Sequence, residues 1–228
     1  MDWTIHHAHP WDVTPEAAVA IQRTLAPLVR EEPLPQPPRT IAGVDMSVRI
    51  DQVQAAVVVL ALPTLEIIDQ AVWRGPVEFP YVPGLLSFRE VPAVLRALAQ
   101  LRIQPDLIVA DAQGRAHPRG LGLACHLGVL LDWPVFGVAK SRLTGTYTEP
   151  ADVTGAQSPL LRAKAVIGAV LRTKAKTKPV YVSIGHRITL SEAVTLTFAC
   201  TTRYRLPEPT RQAHLFSKRI AECGDVAG

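Results

Sequence analysis

Residues 41–74 read IAGVDMSVRIDQVQAAVVVLALPTLEIIDQAVWR, and this stretch decides the fold. Three runs rich in β-branched residues, at 41–48, 53–62 and 66–74, are separated by breaks of four and three residues. Runs of this kind are typical of β-strands. Because a connection between parallel strands needs about a dozen residues or more, such short breaks predict hairpins. The stretch therefore predicts three consecutive antiparallel strands.

Helices and strands alternate after this stretch. The pattern predicts a helix over 88–101, a short apolar strand over 107–110, an apolar helix over 121–131 and a buried strand over 135–139. Three antiparallel strands followed by alternating helix and strand is the order of a ribonuclease H-like fold. The expected α/β architecture is one central mixed sheet with helices on both faces. The order alone leaves other α/β folds open.

The flanking segments indicate additions to a single domain, which suits a chain of 228 residues. Thr14 and Pro15 fit the N-cap and first position of a helix that runs to about residue 30. Four prolines at 33–38 then force an extended connector. Two late strands, 166–172 and 179–184, precede two helices, 191–201 and 209–222. The resulting segments are an N-terminal helix and connector (1–38), a core (39–220) and a short tail (221–228).

The composition argues against several classes of protein. Three cysteines without metal-ligand spacing, Cys125, Cys200 and Cys223, argue against a disulfide framework and suit a reducing cytoplasm. The polar segment 1–10 does not resemble a secretory signal. The longest strongly apolar run, 55–62, is far shorter than the ~20 residues of a membrane helix. We expect a cytoplasmic monomer that does not enter a membrane.

Charge is distributed unevenly along the chain. Residues 1–114 carry 8 basic and 13 acidic side chains, whereas residues 115–228 carry 16 basic and 7 acidic ones. A basic half of this kind attracts phosphate groups whatever the base sequence, as in a nucleic-acid enzyme. A solvated basic face explains the pattern equally well.

Three carboxylates stand out by their positions. Asp45 interrupts the apolar first strand, where an unpaired buried charge is costly. Asp111 ends the strand 107–110, at the edge where open α/β sheets collect ligands. Each aspartate also has a local explanation: Asp45 could be capped by backbone amides at a strand end, and Asp111 could form an Asx-turn. Glu90 follows Ser87 by three residues, which is the spacing of a capping box with only local work to do.

The three carboxylates gain meaning together, because these positions converge in a ribonuclease H-like sheet. Oxygen ligands of this kind select Mg²⁺ or Mn²⁺, which can polarise a phosphodiester and generate hydroxide. Lys140 follows the buried strand 135–139, where its ammonium could lie beside a phosphate. His214 lies on the polar face of the last helix, a place that a merely solvated histidine would also occupy.

The motifs of the chain resemble those of the endonuclease V family over about 41–218. Four blocks carry the resemblance, in the family's order: GVDMS at 43–47; PYVPGLLSFRE at 80–90; DAQGRAHPR at 111–119, which continues through CHLGVL at 125–130 and GVAKS at 137–141; and RYRLPEPTRQAH at 203–214. The second and third blocks are long, ungapped and highly specific.

The resemblance implies a Mg²⁺-dependent endonuclease of DNA repair that acts on nucleic acid containing deaminated bases. It implies that Asp45, Glu90 and Asp111 are the metal ligands, with Mn²⁺ as a substitute ion. Lys140 and His214 would be supporting catalytic residues. The expected reaction is hydrolysis of the second phosphodiester 3′ to a deoxyinosine, which leaves 3′-hydroxyl and 5′-phosphate ends.

The resemblance also implies a wedge and a base pocket. The wedge would be formed by Pro80, Tyr81, Val82 and Pro83, in which the prolines stiffen the loop and the aromatic ring fills the place of a flipped base. From the residues alone, a proline-rich turn with a core tyrosine is the alternative. The pocket would be lined, largely through backbone, by Gly84, Leu86, Ala112, His117, Gly122 and Leu123. Fixed backbone groups can distinguish the carbonyl and ring N–H of hypoxanthine from the edge of adenine.

The sequence departs from the family's pattern at two positions. Ala112 stands where a glycine is usual, and Val48 stands where an aromatic residue is common. A methyl group at 112 would narrow the pocket or disfavour a backbone with positive φ, so we expect an altered or weaker base preference. Two other functions stay open: an inosine-specific endoribonuclease, and a damaged-strand binding protein that does not cleave. The presence of all five candidate catalytic residues disfavours the second.

Overall fold

The structure is a computed structural model, and it describes the backbone of residues 2–49 and 51–225. The strands in these residues are β1 (Thr40–Arg49), β2 (Gln52–Ala61), β3 (Ile67–Pro76), β4 (Leu107–Ala110), β5 (Val135–Ala139), β6 (Gln157–Arg162), β7 (Ala165–Leu171) and β8 (Val180–His186). The α-helices are α1 (Pro15–Leu25), α2 (Leu86–Leu98), α3 (Leu123–Leu131), α4 (Leu190–Ala199) and α5 (Glu208–Asp225). The predicted tail, 221–228, lies partly outside the described residues.

The strands form one mixed sheet in the order β3-β2-β1-β4-β5-β8-β7-β6. The first three strands pair antiparallel, as their short connections predicted. β4 and β5 then extend the sheet parallel to β1, and β8 returns antiparallel beside β5. This topology confirms the predicted ribonuclease H-like arrangement.

Helices cover both faces of the sheet. On β1, Ala42 and Val44 face a cluster completed by α2 and α3, whereas Ile41 faces a cluster completed by α4 and α5. Strands buried on both faces read as continuous apolar runs. Asp45 interrupts such a run in the middle of β1, opposite Ala56. The alternative of an aspartate capped at a strand end is therefore wrong.

Several boundaries differ from the prediction. The first helix ends at Leu25 and continues only as a 3₁₀ turn, Ala26–Leu28, because Pro27 has no amide hydrogen to extend the α-helical bonding. β6 was not predicted at all. It lies at the edge of the sheet and contains Pro159. An edge strand tolerates a proline, but the proline and the partly exposed side chains hide the strand pattern.

No helix in the described part of the chain is both long enough and apolar enough to cross a membrane. Cys125 and Cys200 are buried and carry free thiols. Cys223 lies outside the described side chains.

Candidate active site

The parallel pairing of β1 with β4 places two carboxylates side by side. Val44 lies opposite Ala110 in this pair, so Asp45 and Asp111 follow at neighbouring positions. Glu90 reaches the same place from α2. The three side chains line one cleft of about 510 Å³. The structure therefore brings together the three carboxylates that the sequence singled out.

Burial and mutual repulsion disfavour negative charge on two of these carboxylates. Asp45 exposes only 7% of its surface. This burial raises the pKa of Asp45, and the charge of Asp111 adds to the rise. Burial, followed by repulsion from Asp45, raises the pKa of Glu90 to about 8. A cation held between the carboxylates would relieve both effects.

Two basic residues adjoin the carboxylates. Lys140 directly follows β5, the parallel neighbour of β4, and its Nζ forms an ion pair with Asp111 Oδ2. His214 lies on α5, with Nδ1 at 3.4 Å from Asp45 Oδ2. Both residues line the cleft, and both oppose the rise in the pKa of Asp45. The two predicted supporting residues thus lie beside the predicted ligands.

Gly43 allows α5 to approach β1 closely enough for the contact between His214 and Asp45. A Cβ atom at position 43 would lie 2.0 Å from the carbonyl oxygen of Pro209, in the first turn of α5. Only a residue without a side chain fits between these two backbones. The contact fixes the height of α5, and with it His214, above the sheet.

The chemistry of the donor set fits a hard divalent cation, because carboxylate oxygens are the ligands that Mg²⁺ prefers. In the described part of the chain, no three or more His, Cys, Asp or Glu side chains are grouped so as to hold a metal ion. Near the carboxylates, the Lys140 ammonium already contacts Asp111. The ligand set of Asp45, Glu90 and Asp111 therefore stays a prediction that rests on donor type and on a shared cleft.

The capping box that offered Glu90 a purely local role is wrong. α2 begins at Leu86, one residue before Ser87, and no side chain caps it. Ser87 is buried in the first turn, where its hydroxyl forms a hydrogen bond with His126 Nδ1 at 2.9 Å. Glu90 instead lines the cleft.

The residues predicted to bind the base line another part of the same cleft. All six pocket residues take part: Gly84, Leu86, Ala112, His117, Gly122 and Leu123. Three of the four wedge residues, Tyr81, Val82 and Pro83, also line it, whereas Pro80 is exposed and does not. Tyr81 is 68% exposed, so the alternative of a core tyrosine is wrong.

A neutral histidine contacts the end of the predicted wedge loop, which runs from Pro80 to Gly84. His117 Nδ1 accepts a hydrogen bond from the Arg119 amide at 3.2 Å. The ring therefore carries its hydrogen on Nε2, which donates to the Gly84 carbonyl at 3.0 Å. Burial, followed by the charge of Arg119, lowers the pKa of His117 to about 4. Gly84 has φ of +80°, which a glycine adopts without strain.

Ala112 has an ordinary backbone conformation. It is not among the residues with positive φ in the described chain, so the predicted backbone conflict does not arise. The residue lines the cleft and packs against the cluster beneath α2 and α3. The consequence that remains for alanine at this position is a narrower pocket.

Two glutamines of the cleft were not predicted from the sequence. Gln22 reaches it from α1, where it shares the buried helix face with Ala18 and Leu25. A polar residue on an otherwise apolar face was the available signal. Gln113 donates from Nε2 to the Ser141 carbonyl at 2.8 Å. This bond ties the loop after Asp111 to the loop after Lys140, and no local pattern indicates it.

Comparison with known proteins identifies the family. The family model described as Endonuclease V matches residues 23–215. The endonuclease V of Roseiflexus sp. (strain RS-1) is 54% identical over 204 residues, which cover 90% of this chain and 92% of the relative. The chain belongs to the endonuclease V family. The resemblance seen in the motifs is thereby confirmed, and the chain is a nuclease of a family that generally needs a divalent metal.

Solved endonuclease V structures share the fold. The Streptomyces avermitilis enzyme superposes with a TM-score of 0.90 at 44% identity, over 97% of this chain and 99% of that one. Ciona intestinalis endonuclease V, in complex with a 24mer DNA containing an inosine followed by a ribo-adenosine, gives a TM-score of 0.79 at 22% identity. That superposition covers 91% of this chain and 97% of the Ciona chain. At this identity, the likeness to the Ciona enzyme concerns the fold alone.

Proposed function

We propose that this protein is a Mg²⁺-dependent endonuclease of DNA repair. It hydrolyses the second phosphodiester 3′ to a deoxyinosine and leaves 3′-hydroxyl and 5′-phosphate ends. One observation carries the proposal: the carboxylates Asp45, Glu90 and Asp111 share a single cleft with a pocket beside the exposed wedge ring of Tyr81. When one cleft holds both parts, binding of the base determines which bond is presented for hydrolysis.

The proposed chemistry assigns a separate task to each polar side chain. Asp45, Glu90 and Asp111 would hold Mg²⁺, or Mn²⁺ as a substitute, through their oxygens. When bound there, such an ion would supply polarisation of the phosphodiester and activation of water. Lys140, already paired with Asp111, offsets the negative charge that develops on the phosphate. His214 contacts Asp45 through Nδ1 and orients that carboxylate.

The pocket suits a flipped hypoxanthine because backbone approaches backbone closely along its wall. A side chain at Gly122 would place its Cβ 2.3 Å from the Gln113 carbonyl oxygen. Fixed carbonyls and amides in such a wall can read the ring N–H and carbonyl of hypoxanthine. Tyr81 exposes its ring where it can fill the gap left by the flipped base. Ciona endonuclease V, which shares the fold, forms a complex with DNA that contains an inosine, and this supports inosine-containing DNA as the substrate.

An inosine-specific endoribonuclease is the second candidate. The strand bound to the Ciona enzyme carries a ribo-adenosine after the inosine, which favours tolerance of a 2′-hydroxyl at that position. A binding protein that does not cleave is disfavoured, because Lys140 and His214 both adjoin the carboxylates. We further propose a cytoplasmic monomer in which 39–220 is the nuclease core and 1–38 is an N-terminal addition. The odd number of cysteines and their spacing support a reducing compartment.

A nicking assay tests the proposal. End-labelled DNA and RNA strands, each with one inosine, are incubated with Mg²⁺, and EDTA and matching adenine strands serve as controls. We expect a nick at the second phosphodiester 3′ to inosine that needs Mg²⁺. Asp111→Asn should abolish the nick, whereas Asp51→Asn removes an equal charge from an exposed turn and should leave it unchanged. Cleavage of RNA alone would favour the second candidate, and the absence of a metal-dependent nick on either strand would refute both.

A further inference from the structure

α1 presents a buried polar residue between two parts of the base pocket. Its buried face carries Ala18, Gln22 and Leu25, which recur at helical spacing. Ala18 packs beside the wedge in a cluster that includes Phe88, and Leu25 packs near α3 in a cluster that includes Leu121. Gln22 lies between these contacts and is only 1% exposed. The helix therefore bridges the two sides of the pocket, with Gln22 at its centre.

Both polar atoms of the Gln22 side chain are bonded to the pocket. Nε2 donates to the Gly84 carbonyl at 3.0 Å and to the Leu121 carbonyl at 3.2 Å. Oε1 accepts a hydrogen bond from Arg119 Nε. Gly84 ends the wedge loop, and Leu121 directly precedes the pocket residue Gly122. One side chain thus joins the wedge loop to the opposite wall.

A buried amide is costly unless its hydrogen bonds are made, and Gln22 makes them with groups of the pocket wall and with Arg119. On the same face of α1, Ala18 and Leu25 pack in apolar clusters on either side of Gln22. The Gly84 carbonyl also receives hydrogen bonds from His117 Nε2 and from Arg119 Nη2 at 2.6 Å. Three donors therefore fix one carbonyl at the end of the wedge. A polar residue at 22 is explained by what it holds in place, since packing alone does not require it.

We propose that Gln22 is a positioning residue that sets the width of the base pocket, and hence the discrimination between hypoxanthine and adenine. Its hydrogen bonds go to backbone carbonyls of the pocket and to Arg119. None of these partners is a carboxylate of the proposed metal site, so the hydrolytic step does not depend on it directly. The inference rests on the proposed function and gives the N-terminal helix a part in specificity.

Gln22→Met tests the inference, because it keeps the size of the side chain and removes its hydrogen bonds. Thr24→Ala is the matched control on the same helix, since this exposed hydroxyl bonds the Ala20 carbonyl within the helix. Single-turnover cleavage of matched inosine and adenine strands with Mg²⁺ gives the ratio of rates and the enzyme concentration at half-maximal rate. We expect the ratio to fall about tenfold, which is the loss expected for one or two net hydrogen bonds. The half-maximal concentration for the inosine strand should rise, while its maximal rate stays within about threefold.

A merely structural role would reduce cleavage of both strands in proportion to the folded fraction and leave the ratio unchanged, and that result would overturn the inference. A loss confined to the maximal rate on inosine would also overturn it. Gln22→Leu provides the same comparison if the methionine variant folds poorly, because the ratio does not depend on the folded fraction. If the wild-type protein cuts both strands equally, the proposed function fails and the inference fails with it. If the wild type discriminates and Gln22→Met does so equally well, only the inference fails.

Discussion

Substitution of Gly43 tests whether the contact between α5 and β1 sets the catalytic geometry. In Gly43→Ala, the new Cβ would lie 2.0 Å from the Pro209 carbonyl oxygen. Because Cβ atoms in proteins do not approach other heavy atoms closer than 3.0 Å, α5 and β1 must separate by about 1 Å. Overpacking of this kind costs about 1–3 kcal/mol of unfolding free energy. Displacement of a catalytic group by about 1 Å can lower a rate by about 100-fold. We therefore expect a folded protein with a much reduced rate, because His214 moves away from Asp45.

The assay is single-turnover cleavage of an inosine strand with Mg²⁺, together with urea unfolding of the same preparation. Val182→Ala is the control, because it removes buried volume from β8 and should cost a similar free energy without pushing α5 from β1. The enzyme concentration that gives half of the maximal rate should be similar for Gly43→Ala and the wild type, because the wedge and the pocket come from other segments. A variant that is destabilised like Val182→Ala but cleaves at the wild-type rate would refute the reasoning.

Three further predictions concern the pocket. The pKa of His117 is about 4 in the fold against an ordinary value of 6.5. Between these pH values the unfolded chain binds more protons than the folded one, so the free energy of unfolding falls as the pH drops from 6.5 towards 4. His117→Gln should remove up to about 3 kcal/mol of that fall. If the free energies of unfolding of the variant and the wild type change in parallel with pH, the prediction is contradicted. Ala112→Gly should widen the pocket and raise the ratio of inosine to adenine cleavage severalfold; an unchanged ratio would show that the methyl group does not affect recognition. Tyr81→Ala should weaken binding of inosine-containing duplex by about tenfold through lost stacking, and the melting temperature of the protein should change little because the ring is 68% exposed. Tyr81→Phe should bind like the wild type. An equal loss of binding in both variants would argue against a stacking role.

The fold was predictable where short connections and apolar runs left few arrangements. The short breaks after residues 48 and 62 predicted hairpins, and the antiparallel pairing of β1 with β2 and of β2 with β3 confirms them. β6 was missed because Pro159 and solvent exposure disguise an edge strand. The first helix ends before residue 30 because Pro27 cannot donate the next α-helical hydrogen bond. The failures therefore lie at the edge of the sheet and at a helix end, where tertiary burial does not reinforce the local pattern.

The candidate site was predictable only in part, for a related reason. Asp45 interrupts an apolar strand and Asp111 directly follows one, so both carboxylates stand out in the sequence. The role of Glu90 was ambiguous because Ser87 and Glu90 together match a capping box. That motif does not show that α2 begins at Leu86, before Ser87. Gln22 was missed because its partners, Gly84 among them, are distant in sequence. The periodicity of α1 marks Gln22 as a polar residue on an apolar face, but it does not show which groups Gln22 binds.

The parallel pairing of β1 with β4 also makes the proposed site depend on the completed sheet. Asp45 and Asp111 become neighbours only when Val44 and Ala110 come into register. This register closes a long loop that contains Glu90, and closing long loops is entropically costly and slow. We expect a nascent or partly folded chain to hold its three carboxylates apart. If the three carboxylates hold the metal as proposed, cleavage of nucleic acid would require an assembled core.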